Sequence, residues 1–230
     1  MERHFDHELN ALKERLLTMA SHAEAAVNQS LQALTNRDLD LALRVKENDS
    51  VLDQFEIEID DLAIHLLAKA PLASDLRFVT VAMKISQNLE RVGDEAAKIA
   101  KRARDLTNEP PLKLSVDLPQ MAGLALEMLK ASLDAFVQRD PAAARAVIPR
   151  DKLVDAHHKE IQRRLTKQMT EDAETITRCL NLMIAAKCLE RIADHATNVA
   201  EEVVYLCEAH DIRHSGKVLP ESASLGTSSP

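Results

Sequence analysis

The chain has 230 residues, of which only four are glycine and 2% are aromatic, a composition typical of helical bundles and not of sheet proteins. Its formal net charge of -8 argues against direct nucleic-acid binding, which requires a basic face. The charged N-terminus has no secretory signal pattern, and no apolar run reaches the roughly 18–20 residues that span a bilayer. We therefore expect a cytoplasmic protein whose three cysteines are free thiols.

Apolar residues recur at helical spacing in six segments, which predict six helices joined by short turns. The six helices are expected at about 5–35, 38–69, 75–106, 117–138, 140–169 and 172–209. Pro149 is expected to bend or interrupt the fifth helix, because proline lacks a backbone N–H. Short connections favour antiparallel neighbours, so each set of three helices predicts an antiparallel three-helix bundle.

Three prolines interrupt the helical pattern within residues 108–119, which predicts a linker there. The expected organisation is a first bundle at 1–107, the linker, a second bundle at 120–211 and a disordered tail at 212–230. The tail is rich in Ser, Gly and Pro and has few apolar residues to bury.

A repeat relates the two halves. Residues 89–101 read LERVGDEAAKIAK and residues 189–201 read LERIADHATNVAE, 100 positions later. A second echo pairs Asp49 and Asp53 with Asp151 and Asp155, at an offset of 102. Two independent echoes at nearly equal offsets predict an internal duplication. The expected fold class is therefore all-α, with two pseudo-symmetric three-helix bundles in tandem.

Each repeat motif carries a Glu four residues before an Asp, which places both carboxylates on one face of a helix. These pairs are Glu90 with Asp94 and Glu190 with Asp194. At about 100° per residue both pairs fall at the edge of the apolar stripe, whereas Glu95 falls on the opposite face. The second helix has an acidic strip of its own, and the fifth helix has a matching one: Asp49, Asp53, Glu56 and Asp60; Asp151, Asp155, His158 and Gln162.

If the second and third helices of each half are adjacent, their strips could face each other and form a carboxylate cluster. Such a cluster repels itself unless a cation neutralises it or some carboxylates are protonated. Oxygen ligands suit Mg, Mn or Fe, and Zn where His158 or His195 joins in. The alternative is that these are ordinary bundle-edge residues, paired with Arg91, Arg191 and neighbouring lysines.

The two repeat motifs resemble the signature motifs of the PhoU family of phosphate-uptake regulators. Further similarity is found in PLASDLR at 71–77, EIEID at 56–60 and TEDAETITRCL at 170–180. The resemblance covers about residues 5–210, and it implies two three-helix bundles with metal-binding acidic motifs. The usual glycine of the second motif is replaced by Ala193, and the position after the Asp is Glu95 in one half and His195 in the other. The two sites need not be equivalent.

The resemblance implies the following metal-associated residues: Asp49, Asp53, Glu90, Asp94, Asp151, Asp155, Glu190 and Asp194. Additional candidates for metal or partner binding are Glu56, Asp60, His158, His195, Asn198 and Glu201. The implied protein is a non-enzymatic, homodimeric negative regulator of phosphate-starvation signalling and phosphate uptake. Its implied partners are a sensor histidine kinase and the ATPase of the phosphate ABC transporter, through which alone it would reach the membrane.

Two other functions are open. A metal-free helical adaptor could use the acidic strips to bind a basic partner. A di-metal carboxylate enzyme of the ferritin-like class would need Glu-x-x-His on its helices, and that pattern occurs nowhere in the chain. The chain also lacks a glycine-rich phosphate loop and a nucleophile motif, which favours a regulator.

Overall fold

The computed structural model describes residues 2–69 and 72–213, with side chains from Phe5 onward, and in these ranges it contains helices and no strand. The α-helices are α1 (Glu2–Asn36), α2 (Leu39–Glu47), α3 (Asp49–Leu67), α4 (Ala73–Thr107), α5 (Leu118–Gln138), α6 (Pro141–Val147), α7 (Asp151–Glu171) and α8 (Ile176–Glu208). Short 3-10 turns occupy Ile148–Arg150 and Ala173–Thr175. None of the described helices is both long and apolar enough to cross a bilayer.

The two halves have the same architecture. In the first half α1 and α3 pack against α4, and in the second half α5 and α7 pack against α8. The long helices α4 and α8 also pack against each other, so they form the centre of the molecule. Their buried residues belong to one continuous apolar core. The expected all-α fold of two repeated helical bundles is confirmed.

Two of the six predicted helices are broken, and the breaks are at equivalent positions. The expected interruption near Pro149 is a 3-10 turn between α6 and α7. The prediction of one continuous helix at 38–69 was wrong, because Asn48 ends α2 and precedes α3. The breaks place Asp49 and Asp151 in the first turns of α3 and α7, where the helix dipole favours a negative charge.

Aspartate side chains cap the first two helices of the second half. The carboxylate of Asp117 accepts a hydrogen bond from the backbone N–H of Gln120 at 3.0 Å, at the start of α5. Asp140 accepts from the N–H groups of Ala142 and Ala143 at 2.9 and 3.0 Å, at the start of α6. These caps satisfy backbone donors that have no partner within a helix.

Residues 108–117 connect α4 to α5 without helical structure. Alternate residues of this linker, Leu112, Leu114 and Val116, are partly buried against the core. At the other end of the chain Ile212 also packs against the core, and Arg213 forms an ion pair with Glu202 at 3.0 Å. Residues 214–230, which make up the rest of the predicted tail, lie outside the described residues.

Candidate functional site

The packing of α3 on α4 brings the acidic strips of the first half together, into what we call the first carboxylate cluster: Asp49, Asp53, Glu56, Glu90 and Asp94. Burial raises the pKa of Asp49, and the charges of Asp94 and Asp53 add to this effect. Burial also raises the pKa of Glu90, again with a contribution from Asp94. Asp60 lies at one end of the cluster, beside Glu56, whose pKa is raised mainly by burial and then by Asp60.

The packing of α7 on α8 forms the second carboxylate cluster, which consists of Asp151, Asp155, Glu190 and Asp194, with His158 beside them. Partial burial and the charges of Glu190 and Asp151 raise the pKa of Asp194 to about 6, from an ordinary value of 3.8. The pKa of Asp151 is raised by burial and by the charges of Asp155 and Glu190. Both clusters therefore resist full ionisation in the absence of a counter-charge.

Basic side chains neutralise part of each cluster. Nε of Arg91 lies 3.4 Å from a carboxylate oxygen of Glu90, and Nζ of Lys98 lies 3.6 Å from one of Asp94. In the second cluster Lys187 pairs with Glu190. Arg191 instead turns away from the clusters, toward the interface between α4 and α8. The alternative expected from the sequence, in which arginines and lysines pair with the cluster carboxylates, is thus only partly present: Arg91, Lys98 and Lys187 form such pairs and Arg191 does not.

Several polar atoms of the clusters are buried without a hydrogen-bond partner. In the second cluster these include Oδ1 of Asp151 and Nε2 of His158, and near the first cluster Oδ1 of Asp60. His158 is only 8% exposed, and burial lowers its pKa, so that its neutral imidazole has a lone pair to offer a metal. The donor set therefore fits a cation chemically. No three His, Cys, Asp or Glu side chains of the described residues converge in a metal-holding arrangement, so binding would require carboxylates to rotate.

A close approach between α3 and α4 accompanies the first cluster. A Cβ atom placed on Gly93 would lie 2.2 Å from Cδ1 of Leu52 and 3.7 Å from Oδ1 of Asp49. In the second half, Ala193 replaces the glycine, and the position matching Leu52 at the offset of 102 is the smaller Val154. The first half thus pairs a small residue with a large one, whereas the second half pairs two residues of intermediate size. The combined side-chain volume of the two positions is therefore similar in both halves.

Three of the additional candidates lie outside the clusters. Nδ1 of His195 lies 3.0 Å from Oδ1 of Asn88 across the interface between α4 and α8, and Nδ2 of Asn198 donates to the same oxygen at 3.3 Å. Glu201 lies near Arg213, whose pKa is raised chiefly by Asp211 and further by Glu202 and Glu201. His195, which follows the motif aspartate Asp194, thus faces the interface between α4 and α8.

Glu95 also faces this interface, and it is only 4% exposed. Its Oε1 lies 3.0 Å from Nζ of Lys98 and 3.3 Å from Nη1 of Arg191. Burial alone would raise the pKa of Glu95, but hydrogen bonds from Cys188 and Lys98 and the nearby positive charges outweigh burial and lower it. Burial and the bond to Glu95 raise the pKa of the Cys188 thiol to about 12, so this cysteine is protonated and unreactive at neutral pH.

A second buried carboxylate belongs to α8. Glu202 is 4% exposed and pairs with Lys84 of α4 at 3.0 Å and with Arg213 at 3.0 Å. The prediction that Glu95 lies on the face opposite the apolar stripe, away from the core, was wrong, because α8 packs on that face of α4, and Glu202 was not among the predicted site residues. For Glu95 the repeat contains a signal. The residues before it are similar in the two halves, and Glu95 itself is replaced by His195.

The family model described as the PhoU domain matches this chain twice, at residues 16–103 and at residues 118–203. The chain belongs to the PhoU family. The two matches correspond to the two repeated halves, and each includes one carboxylate cluster.

Relatives that match most of the chain carry the same family name. The phosphate-specific transport system accessory protein PhoU homologue of Rhizobium meliloti is 42% identical over 204 residues, which cover 88% of this chain and 86% of that protein. The PhoU protein of Escherichia coli K12 is 35% identical over 213 residues, which cover 92% of this chain and 88% of that protein.

Solved structures show the same fold. The crystal structure of PhoU from Pseudomonas aeruginosa superposes with a TM-score of 0.86 at 38% identity and covers 90% of this chain and 100% of that chain. The regulatory PhoU protein of the phosphate transport system of Streptococcus pneumoniae has a TM-score of 0.84 at 30% identity, covering 90% of this chain and 99% of that chain.

Proposed function

We propose that this PhoU-family protein is an accessory regulator of phosphate-specific transport, and that it represses phosphate-starvation signalling and phosphate uptake. The observation that carries this proposal is the match of both halves to relatives named as accessory proteins of that transport system. The proposed partners are the sensor histidine kinase of the phosphate response and the ATPase subunit of the phosphate ABC transporter. The proposed location is the cytoplasm, and the proposed assembly is a homodimer.

We propose a non-catalytic mechanism that acts through protein contacts. Two buried carboxylates at the centre of the molecule form ion pairs between α4 and α8: Glu95 with Arg191, and Glu202 with Lys84. Cys188, which is hydrogen-bonded to Glu95, is held in its unreactive form. Such an arrangement supports a rigid scaffold that presents its surface to partners.

Deletion of the gene tests the regulatory proposal. In phosphate-replete medium the deletion strain should express alkaline phosphatase, and re-expression of the wild-type chain should restore repression. The Asp134→Asn variant should restore repression as well as the wild-type chain does, because Asp134 is exposed on α5 and lies outside both clusters. Continued repression in the deletion strain would refute the proposed role.

We further propose that both carboxylate clusters bind a divalent or trivalent cation such as Fe, Zn, Mn or Mg. A cation would offset the burial and the carboxylate repulsion that together raise the pKa values of Asp49 and Asp194. In the first cluster the ligands would come from Asp49, Asp53, Glu90 and Asp94, with Glu56 and Asp60 close by. In the second they would come from Asp151, Asp155, Glu190 and Asp194, with His158.

Metal content after loading and desalting tests this proposal half by half. Asp49→Asn with Asp94→Asn should remove the metal of the first half, and Asp151→Asn with Asp194→Asn that of the second. A control with Asp61→Asn and Asp134→Asn changes the same charge at exposed positions of α3 and α5. Equal metal content in all four proteins would exclude the clusters as the binding sites.

The acidic clusters also support a second candidate, a metal-free adaptor whose carboxylates contact basic partner residues. The exposed side chains of Asp53 and Asp194 are available for such contacts. Co-purification of the kinase and the ATPase with the chain, before and after chelation, distinguishes the two. Loss of binding on chelation supports the metal-dependent regulator, whereas unchanged binding supports the adaptor.

A further inference from the structure

An open cleft lies between the two halves, under the linker that joins α4 to α5. Its volume is about 610 Å³, within the range of roughly 300–1,000 Å³ that is usual for small-molecule sites. Its walls come from the C-terminal ends of α1 and α4, from the linker, and from α7 and the start of α8. We call it the linker cleft, and neither carboxylate cluster contributes to it.

The linker cleft is cationic in a chain whose net charge is -8. Arg37, Arg164 and Arg178 line it, against the single carboxylate of Asp117. That carboxylate is already occupied, because it accepts a hydrogen bond from the backbone N–H of Gln120. Three guanidinium groups therefore face the cleft with a local excess of positive charge.

Two of these arginines hold the linker in place with part of their donors. Nη1 of Arg37, which follows α1, donates to the carbonyl oxygen of Glu109, and Nη1 of Arg178 donates to that of Pro110 at 3.1 Å. Nη2 of Arg178 also donates to the carbonyl oxygen of Glu174 at 3.0 Å, and its Nε is buried and has no hydrogen-bond partner. Leaving such a donor unpaired is unfavourable by about 1–3 kcal/mol, so a rotation of the Arg178 side chain that brings Nε to an acceptor in the cleft would relieve a defect already present.

Arg164 is the least constrained of the three. It is half-buried on α7, and it forms no hydrogen bond or ion pair with any residue in the described part of the chain. Glu160, one turn away, is itself hydrogen-bonded to Arg163, which lowers the pKa of its carboxyl. The positive charge of Arg164 also acts on Glu160 and helps to lower that pKa. A guanidinium with this freedom can turn toward a ligand without breaking an existing contact.

The rest of the cleft wall is aliphatic. Leu34, Leu106, Leu114, Val116 and Leu182 line it, and no aromatic side chain is among the described residues that do so. A nucleobase would therefore find no stacking partner, whereas an aliphatic body would find apolar contacts. The forked donors of arginine match the oxygens of a phosphate group, which carries about -1.5 to -2 charges at neutral pH.

We propose that the linker cleft binds a small phosphate monoester with an aliphatic body. The phosphate lies between Arg164 and Arg178, and the aliphatic part lies against the leucines under the linker. Because Leu34 and Leu106 belong to the first half and Arg164 and Arg178 to the second, the bound ligand joins the two halves. This site is independent of the carboxylate clusters and of the proposed regulatory role.

Isothermal titration calorimetry of the full chain with hexyl phosphate tests the proposal. Saturable binding with a dissociation constant below about 1 mM is expected. Hexanol, hexanoate and inorganic phosphate should each bind at least about tenfold more weakly, since each lacks one part of the recognised chemistry. Equal binding of hexanol, hexanoate or inorganic phosphate would overturn the proposed ligand class, and the absence of saturable binding would overturn the site.

Arg164→Gln provides the decisive variant, because Arg164 has no partner whose loss would disturb the fold. It should weaken hexyl phosphate binding by about tenfold or more, with an unchanged circular dichroism spectrum and melting temperature. Arg44→Gln is the matched control, since Arg44 is exposed on α2 and does not line the cleft. Its affinity should stay within about twofold of wild type, and an equal loss in both variants would show nonspecific charge attraction and refute the site.

Discussion

Glu95 and His195 occupy equivalent positions of α4 and α8, and both side chains enter the interface between these two helices. Glu95 bonds to Arg191 of α8, and His195 contacts Asn88 of α4. The hydrogen bond between Cys188 and Glu95 is the counterpart of the contact between Asn88 and His195, because Asn88 and Cys188 are also 100 residues apart. The difference between Glu95 and His195 therefore affects the interface between the halves and not the carboxylate clusters.

The first prediction concerns Glu95. Glu95→Gln should lower the free energy of unfolding by roughly 1–3 kcal/mol, because it removes charge-assisted bonds to Lys98 and Arg191 in a buried place. The pKa of Glu95 is lowered in the folded chain, so its contribution is present above its ordinary value of 4.5 and is lost as pH falls through the folded pKa.

Urea denaturation across the pH range measures this effect. The gap in the free energy of unfolding between wild type and Glu95→Gln should narrow as pH falls below 4.5, the ordinary pKa of a glutamate. Glu24→Gln, at an exposed position of α1, serves as the control and should differ from wild type by less than about 0.5 kcal/mol. A gap that is independent of pH would show that the carboxylate charge has no part in the interface.

The second prediction concerns carboxylate repulsion in the metal-free chain. Since the pKa of Asp194 is raised to about 6, its protonated form is favoured by folding, and stability from this group falls as pH rises from about 4 through 6. Asp194→Asn should therefore raise the free energy of unfolding at pH 7 by roughly 0.5 kcal/mol, by removing like-charge contacts. Chemical denaturation in the presence of a chelator measures it, with Asp134→Asn as the unaffected control. Destabilisation by Asp194→Asn would contradict the repulsion.

The third prediction concerns the metal preference of the second cluster. Only this cluster has a buried imidazole beside it, so zinc should stabilise it more than magnesium does. At a zinc concentration 100 times the dissociation constant, the stabilisation should be about 2.7 kcal/mol. His158→Gln should reduce the zinc-induced rise in melting temperature and leave the effect of magnesium nearly unchanged. His65→Gln, at an exposed position of α3, is the matched control.

The fourth prediction concerns the close approach of Gly93 and Leu52. Gly93→Ala forces Leu52 out of its position, and the strain of about 1–3 kcal/mol exceeds the helix-propensity gain of about 1 kcal/mol. Leu52→Val alone should lower stability by about 1 kcal/mol through a small cavity. The double variant reproduces the Ala193 and Val154 pair of the second half and should be more stable than the sum of the single effects predicts, by about 1 kcal/mol. Additive single effects would show that the two positions are not coupled.

The acidic strips illustrate what sequence can predict about the candidate site. Glu90 and Asp94 lie at the edge of the core, as their helical spacing indicated, and α3 brings Asp49 and Asp53 against them. The reason is that the helical period of 3.6 residues determines which side chains form the apolar face and which flank it, whatever element packs on that face. Whether the clusters bind metal stays a prediction.

The break at Asn48 illustrates what propensity alone could not locate. Pro149 removes a backbone donor, so its interruption of the fifth predicted helix follows from covalent structure. Asn48 has its N–H bonded to the carbonyl of Arg44, as a helical residue would, and no side chain caps the start of α3. The break between α2 and α3 is therefore decided by how both helices pack on α4.

The sequence by itself determined the helical class, the duplication and the acidic strips, because composition, repeat offset and helical period are properties of the chain alone. It placed Glu95 on the solvated face, since one helix read in isolation shows a single apolar stripe. In the tertiary structure α4 and α8 pack together and each buries a second face, which encloses Glu95, His195 and Cys188. Only the packing of the two halves decided this interface and the linker cleft, because both are formed by residues distant in sequence.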